Sequence, residues 1–283
     1  MRLAGLVILY QPSSTIIDNI KSYLPLLDKL IVFDNTEAAN ENIHNQILEL
    51  QNVILVHDNQ NAGIAKRLNE GAAMCLNENF TWMLTMDQDS AFESNLFKEY
   101  VNCLEQLENK DDTAMTGVEF EVTPASNGCN CNEVKQVITS GSFINLALFK
   151  EIGGFDKALF IDEVDTDYCY QAILKGYKII KFKSIFLNHS LGKVSYHKSL
   201  KTLKTTSRTL HSPLRLYYMV RNNLYLNSKY PQSIFHDETI RRKKDLLHRI
   251  KNNFLYGHNK LTLIQLVILG WLDFRKKKMG KKL

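Results

Sequence analysis

Four short apolar segments in the N-terminal third of the chain constrain its fold more than any other feature. These predicted strands lie at Leu3–Leu9, Leu30–Phe33, Val53–Val56 and Phe80–Met86. Segments with helical periodicity separate them, and strands that are apolar throughout are typical of a parallel sheet with helices on both faces. Connections between such strands are right-handed, which gives an open, Rossmann-like sheet. We therefore predict an α/β fold built on a mostly parallel, mixed sheet.

Polar residues follow each of these predicted strands. They are Tyr10, Asp34 with Asn35, Asp58 with Asn59, and Asp87–Asp89. In open α/β sheets, ligands bind outside the carboxyl ends of the strands. We therefore expect a binding cleft at this edge of the sheet.

The sequence changes character near residue 200. Before it, strand-like segments such as Ala114–Val122 and Val134–Ile144 alternate with short helices. After it, the periodicity is helical to the C-terminus. We predict a first domain at residues 1–200 and a helical C-terminal region at residues 201–283.

The cysteines bear on the compartment of the protein. There are five, on unrelated predicted elements: Cys75, Cys103, Cys129, Cys131 and Cys169. Their odd number and spacing are not those of a disulfide framework, so we interpret all of them as reduced thiols. The N-terminus lacks the features of a signal peptide, and no segment reaches the roughly 18 apolar residues of a transmembrane helix. These observations predict a cytoplasmic protein.

The segment Met86-Asp87-Gln88-Asp89-Ser90 ends the fourth predicted strand. Two carboxylates one residue apart, on a turn that leaves a buried strand, can offer oxygen ligands to one divalent cation that also binds phosphate. Such a cation would stabilise the charge that builds up on a departing diphosphate. Asp, Gln and Ser are also common in simple turns, so the pattern alone leaves both interpretations open.

Further motifs occur in order over about 220 positions of the chain. They are LVILYQP, IVFDNT, Asn61-Ala62-Gly63-Ile64-Ala65, Asn69 with Gly71, TMDQDS, TSGSFI, IGGFDKALFIDEVDTDYC, NHSLG and YYMVRNNLYL. In this order and spacing they resemble the family 2 glycosyltransferases of the GT-A fold, and most closely the bacterial rhamnosyltransferases of that family. The resemblance implies an enzyme that uses Mg²⁺ or Mn²⁺ and moves a sugar from a dTDP- or UDP-sugar donor to a glycan or lipid-linked acceptor.

The resemblance also implies roles for residues at the sheet edge. Asp34 would bind the pyrimidine ring of the donor, although an Asp that caps the following segment has the same pattern. Asn61 and Gly63 precede a predicted helix, and a helix N-terminus favours phosphate. Arg67, in the first turn of that helix, would add positive charge to the donor site or be solvated. We include Tyr10 in the donor site.

The metal and phosphate residues are implied in the same way. Asp87 would lie near the ribose and the metal, and Asp89 would bind the metal. His189 resembles a histidine that completes the metal shell in several family members, although a lone His is more often a satisfied polar residue. Arg221 lies on a predicted helix with several tyrosines, and we expect it to bind a diphosphate or an acceptor phosphate.

An acidic segment supplies the candidate base. Its carboxylates are those of Asp162, Glu163, Asp165 and Asp167. A transfer that inverts the anomeric carbon needs one carboxylate to take the acceptor hydroxyl proton, although acidic residues also favour the first turn of a helix. The family's acidic motif falls on residues 164–167, which implies Asp165 as the base. Val164 replaces the common Glu, and Gln171 lies where an Arg often follows, which puts in doubt how this helix contacts phosphate or acceptor.

The whole chain has a net charge of +5, and its basic residues cluster in the C-terminal region. One cluster lies at residues 241–244, and another follows the apolar segment Leu261–Phe274, which carries Trp271. These clusters predict an anionic partner, and they lack the interleaved aromatic residues of a nucleic-acid interface. The apolar segment is either an interfacial helix on an anionic membrane or a buried helix with a basic end. Because acceptors in the family are often lipid-linked, we favour peripheral attachment to the inner face of the cell membrane.

Two other functions fit parts of the sequence. A sugar nucleotidyltransferase would carry a glycine-rich, basic signature after the first strand, where this chain has Tyr10-Gln11-Pro12-Ser13-Ser14. A non-catalytic glycan-assembly protein would not need Asp87, Asp89 and Asp165. The sequence therefore favours an inverting transferase, with dTDP-L-rhamnose as the donor.

Overall fold

The structure of the protein is a computed structural model, and it describes residues 1–93, 95–120, 128–189, 194–198 and 205–282. The strands are β1 (Leu3–Leu9), β2 (Lys29–Asp34), β3 (Val53–His57), β4 (Trp82–Asp87), β5 (Ser90–Phe92), β6 (Thr113–Glu119), β7 (Cys131–Glu133), β8 (Ser142–Asn145), β9 (Lys178–His189), β10 (Val194–Lys198) and β11 (Thr205–Thr209). The helices are α1 (Ile16–Lys21), α2 (Glu41–Leu48), α3 (Ile64–Asn77), α4 (Leu96–Gln106), α5 (Leu146–Ile152), α6 (Val164–Leu174), α7 (Pro213–Lys229), α8 (Gln232–Tyr256) and α9 (Lys260–Arg275).

A nine-stranded sheet organises the N-terminal two thirds of the chain. Its order is β3-β2-β1-β4-β8-β6-β9-β5, and β7 pairs with β9. The first four strands of this order are parallel to one another, as are β6 and β9, whereas β8 is antiparallel to both of its neighbours. The predicted α/β fold with a mixed sheet is confirmed, and its parallel half is the half built from the four apolar segments.

Helices cover both faces of this parallel half. Val7 and Leu9 of β1 share one buried cluster with Ile20 of α1. On the other face α3 approaches β1 so closely that a Cβ at Gly71 would lie 2.7 Å from the side chain of Leu6. Burial on both faces explains why these strands are apolar throughout rather than alternating.

The predicted strand Val134–Ile144 forms only in its last part, as β8. Gly141 has a φ of +72° and its N–H donates to the Thr85 carbonyl at 2.9 Å. Ser142 N–H donates back to the Thr139 carbonyl at 3.1 Å, which closes a turn immediately before β8. Residues 134–141 are therefore a loop across the end of β4, and we call this segment the bridging loop.

The interpretation of all five cysteines as reduced thiols is wrong for two of them. Cys103 of α4 and Cys129 form a disulfide, with their Cα atoms 5.1 Å apart. The pairing of β7 with β9 brings Cys129, two positions before β7, back to α4. The spacing of the cysteines in the sequence does not reveal this approach. Cys75, Cys131 and Cys169 are free. The cysteines therefore no longer support the predicted cytoplasmic location, which stays a prediction.

Contacts divide the chain into two units, residues 1–160 with 164–190 and residues 161–163 with 191–283. The second unit contains the predicted C-terminal helices, here α7, α8 and α9, and a hairpin of β10 and β11. It has its own small core, in which Leu216 and Met219 pack with Leu263. The predicted boundary at residue 200 lies outside the described residues and stays a prediction. None of the helices in the described ranges is both long and apolar enough to cross a bilayer.

Candidate active site

The ends of the parallel strands define one edge of the sheet in the first unit. β1 lies between β2 and β4, and its last residues pair with the two acidic strand ends, Leu9 with Asp34 and Ile8 with Asp87. Since neighbouring strands are about 4.8 Å apart, these two aspartates are separated by roughly 10 Å. That spacing is suited to the base, ribose and phosphate ends of one nucleotide.

The turn after β4 is held by Gln88, which the sequence did not single out. Tyr10 N–H donates to Gln88 Oε1 at 2.8 Å, and Gln88 Nε2 donates to the Tyr10 carbonyl at 3.2 Å. The Gln88 carbonyl also accepts from Asn19 Nδ2 at 2.8 Å. Gln88 thus fixes the turn against the end of β1, between an exposed Asp87 and a half-buried Asp89. These two carboxylates are accessible to a cation.

The bridging loop connects this turn to the acidic segment. Asp87 N–H donates to Ser140 Oγ at 3.2 Å. At the other end of the loop, Gln136 Nε2 donates to Thr166 Oγ1 at 2.8 Å, in the first turn of α6. Asp165 lies next to that contact, and its Oδ1 accepts from Thr166 N–H at 2.8 Å. The Asp87–Asp89 turn and Thr166, the neighbour of Asp165, therefore contact opposite ends of the same short loop.

The other carboxylates of the acidic segment bond to residues of α6, α7 and α8. Asp167 is fully buried and accepts from Gln171 Nε2 at 2.6 Å, and Gln171 also donates to the Gly154 carbonyl. Gln171 therefore links Asp167 to the backbone of Gly154. Asp162 and Glu163 belong to the second unit, where Asp162 pairs with Arg215 at 3.2 Å and Glu163 with Arg242 at 3.3 Å. Burial raises the pKa of Asp162.

The N-terminus of α3 is closed by protein groups. Ile64 N–H donates to the Phe160 carbonyl at 2.6 Å, and Gly63 N–H donates to Asn61 Oδ1 at 3.1 Å. Gly63 has a φ of +83°, and a Cβ there would meet the Phe160 ring at 2.4 Å. Glycine is required at position 63 both by its conformation and by this contact.

Arg67 is buried, with 2% of its surface exposed. Its Nε donates to Asn35 Oδ1 and its Nη1 to Glu70, both at 2.9 Å, and its Nη2 donates to Asp58. The hydrogen bond from Arg67 lowers the pKa of Asp58. The guanidinium thus ties the ends of β2 and β3 to α3, and it is not a solvated surface group.

Asp34 is also enclosed. Its Oδ1 accepts from Thr36 N–H at 2.9 Å, and its Oδ2 contacts His44 Nε2 at 2.7 Å. His44, on α2, is a second residue that the sequence did not single out. Together these contacts fix the loop that follows β2.

Two further predicted residues are Arg221, which belongs to the second unit, and His189, which is only partly described. Arg221 is buried in the second unit, where Nη1 donates to the Gly280 carbonyl at 2.8 Å and the guanidinium packs on the Tyr217 and Tyr218 rings. His189 ends β9, and its backbone pairs with Ser90, next to Asp89. The side chain of His189, and residues 190–192 of the NHSLG motif, lie outside the described part. Among the residues that are described, no three His, Cys, Asp or Glu side chains are grouped as a metal site.

Comparisons with known proteins match this chain by sequence. Residues 7–122 match the family described as Glycosyl transferase family 2. The dTDP-rhamnosyl transferase RfbF of Shigella flexneri is 26% identical over 217 residues, which cover 71% of each protein.

Solved structures share the fold. S. aureus TarS 1-349 matches with a TM-score of 0.59 and 15% identity, over 97% of this chain and 80% of TarS. GalNAc-T7 with UDP, GalNAc and Mn²⁺ matches with a TM-score of 0.53 and 13% identity, over 67% of this chain and 44% of GalNAc-T7, so the chain spans less than half of that protein. Residues 7–122 thus match the Glycosyl transferase family 2 model, in a chain that has the GT-A fold and is similar to a bacterial dTDP-rhamnosyl transferase.

Proposed function

We propose that the protein is an inverting, metal-dependent glycosyltransferase that moves L-rhamnose from dTDP-L-rhamnose to a glycan or lipid-linked acceptor in cell-surface polysaccharide synthesis. The observation that carries this proposal is the bridging loop, which contacts the Asp87–Asp89 turn at one end and the Asp165 turn at the other. The residues proposed to bind the donor and the base proposed to act on the acceptor would then lie on either side of one loop. The similarity to a dTDP-rhamnosyl transferase supports the choice of donor.

The residues at the Asp87–Asp89 turn fit a divalent cation. Both carboxylates are accessible, the turn is fixed by Gln88, and the backbone of His189 pairs with Ser90 beside Asp89. Hard oxygen ligands with one imidazole suit Mg²⁺ or Mn²⁺. Asp87, Asp89 and His189 would hold the ion, and the ion would neutralise charge on the diphosphate leaving group.

Asp165 is our candidate for the base. The family motif falls on this residue, and its carboxylate is half-buried at the start of α6, beside the contact between Gln136 and Thr166. Asp165 would take the proton of the acceptor hydroxyl as its oxygen attacks the anomeric carbon. The bond from that carbon to the diphosphate breaks on the opposite side, so the configuration inverts.

The donor would lie along the strand ends. Tyr10 follows β1 and Asp34 pairs with its last residue, and we assign both to the pyrimidine end, Tyr10 at an exposed position and Asp34 through the loop that it fixes. Asn61, Gly63 and Asp87 would line the ribose and phosphates. Arg67 would act through Asn35 and Asp58, whose positions it fixes. Arg221 as a ligand of an acceptor or donor phosphate stays a prediction, and its buried guanidinium bonds within the second unit.

A thermal-shift series tests this proposal. The full chain is melted with dTDP-L-rhamnose, a UDP-sugar and a GDP-sugar, each with and without Mn²⁺. We expect dTDP-L-rhamnose with Mn²⁺ to raise Tm by roughly 5 °C at a hundredfold excess over Kd. Asp89→Asn should remove this response, and Asp111→Asn, an exposed acid before β6, should keep it.

Two results would contradict the proposal. A pyrimidine donor that stabilises the protein equally without metal would remove the role of Asp89. A melt that responds to no nucleotide-sugar would favour a non-catalytic glycan-assembly protein.

A further inference from the structure

The apolar residues of α9 lie on two different faces. One face packs on α7 in the core of the second unit, through Leu263 and through Gly270, where a Cβ would lie 2.7 Å from the Tyr217 carbonyl. The other face is open. Its apolar side chains are Leu261, Ile264, Ile268 and Trp271, which are 78%, 42%, 52% and 48% exposed. The core of the unit therefore uses only part of this helix.

The open residues form one stripe. They follow one another at intervals of three, four and three positions, which places them on a single side of a helix. Arg275 continues the stripe at the next interval, and its guanidinium lies 5.8 Å from the Trp271 ring centre. The acidic residue of the helix, Asp273, accepts a hydrogen bond from Tyr217 on α7 at 2.8 Å. We call residues 261, 264, 268, 271 and 275 the α9 stripe.

Exposed cations lie at both ends of the α9 stripe. Lys260 precedes it, and Lys276, Lys277 and Lys278 follow Arg275. The chain after the helix is held in place, because Lys278 N–H donates to the Asp273 carbonyl and Gly280 accepts from Arg221, both at 2.8 Å. The positive charge is therefore fixed next to Trp271.

We propose that the α9 stripe docks on an anionic lipid surface, with α9 lying in the plane of the headgroups. Tryptophan favours the membrane interface, and Lys and Arg beside an apolar helix face are attracted to anionic lipid. This docking goes beyond the sugar transfer and does not depend on it. A docked α9 would hold the protein where lipid-linked acceptors are found.

The charge and composition of the α9 stripe favour an anionic lipid surface over a second copy of the chain or a nucleic acid. A second copy of the chain paired along the same stripe would bring its own cations toward these, and the stripe covers only two heptads, whereas coiled coils need three to four. Nucleic acid would meet a stripe whose centre is aliphatic, without the stacked aromatic residues that bind bases. An anionic lipid surface matches both the apolar centre and the cationic ends.

Vesicle binding by the full chain tests the proposal. The protein is sedimented with vesicles of phosphatidylcholine alone and of phosphatidylcholine with phosphatidylglycerol. We expect binding only to the anionic vesicles, and its loss at high salt because screening shortens the range of the attraction. The sequence has two tryptophans, and Trp82 is buried. A blue shift in emission and protection from acrylamide on binding would therefore report Trp271.

Matched variants separate the α9 stripe from general charge. Replacing Lys276, Lys277 and Lys278 by Gln should weaken binding about 100-fold, from roughly fivefold per charge. The same triple change at Arg241, Lys243 and Lys244 of α8 should have little effect. Ile268→Asn should weaken binding about tenfold, and Leu247→Asn, an exposed position on α8, should not.

Three outcomes would overturn the proposal. The first is equal binding of all variants to vesicles, and the second is no binding to anionic vesicles at low salt. The third is a dimer in solution that Ile268→Asn converts to a monomer, which would assign the α9 stripe to a second copy. Circular dichroism and Tm confirm that each variant is folded.

Discussion

The carboxylate of Asp165 is held by the backbone of its own helix turn, where Oδ1 accepts the Thr166 N–H at 2.8 Å. If Asp165 is the base, Asp165→Asn keeps the shape of this turn and removes the proton acceptor. We expect kcat to fall by about 10²–10⁴-fold with the donor Kd unchanged. Steady-state kinetics and donor titration measure the two quantities.

The control for this variant is Asp111→Asn, which changes the same chemistry in a turn before β6. It should leave kcat unchanged. An Asp165→Asn protein with full activity would remove Asp165 as the base, and one with lost donor binding would make it a binding residue.

Single residues of the site were predictable only where a motif named them. The sequence indicated Asp34, Asp87 and Asp165 because they lie in motifs that resemble those of family 2 glycosyltransferases, although acidic residues are also common in caps and turns. It did not indicate His44, Gln88 or Gln171 as their partners, since hydrogen bonds between distant elements leave no local pattern. The short Asp-Gln-Asp spacing was the only signal for Gln88.

Among the elements, α3 shows how a charged residue can be structural. Arg67 is followed at intervals of four by Gly71 and Cys75, both buried, so it lies on the inner face of the helix. This periodicity was available in the sequence, and it argues against a solvated Arg67. Residues 134–141 were harder, because an apolar segment does not reveal the turn that Gly141 introduces.

Arg67→Met should lower the free energy of unfolding by about 2–3 kcal/mol, because Asn35, Asp58 and Glu70 lose the donor they share. Lys66→Met is the matched control, since Lys66 is the adjacent residue and is half-exposed. Its ion pair with Glu70 is long, at 3.6 Å. We expect the control to change stability by less than about 0.5 kcal/mol. Urea denaturation measures both.

Equal destabilisation by the two variants would show that the Arg67 contacts add nothing to the fold. A stable Arg67→Met protein with a raised KM for the donor would return Arg67 to the donor site.

Across the whole molecule, stability should depend on pH through His211 of the second unit. Burial lowers its pKa to about 4, with Arg249 and Arg215 adding repulsion, and Arg249 Nη1 lies 2.5 Å from its Nε2. The folded state therefore favours the neutral ring. The contribution of His211 to the free energy of unfolding is complete above its ordinary pKa of 6.5. That contribution is lost as the pH falls from 6.5 through about 4.

Replacing His211 by Asn should flatten the dependence of Tm on pH between 6.5 and 4. Asp162, which pairs with Arg215, has a raised pKa that acts in the opposite direction, and it is present in both proteins. His258→Asn, at an exposed position after α8, should leave the curve unchanged. A parent protein whose Tm does not fall in this window would contradict the assignment.

Apolar runs and helical periodicity in the sequence predict a sheet domain and a helical region, and this division stays a prediction. The part predicted to be helical also contains the strand β11. The disulfide between Cys103 and Cys129 was not predictable, because it depends on where β7 joins the sheet.

Phe160 has a consequence for the order of events during turnover. Its carbonyl accepts from the first N–H of α3, its ring fills the space beside Gly63, and only three residues separate it from Val164 at the start of α6. If the protein is the transferase proposed above, a shift of Phe160 would move both the loop before α3, assigned to the donor, and the turn at the start of α6, which holds the candidate base. Binding of one substrate would then change the site of the other before any bond is made or broken.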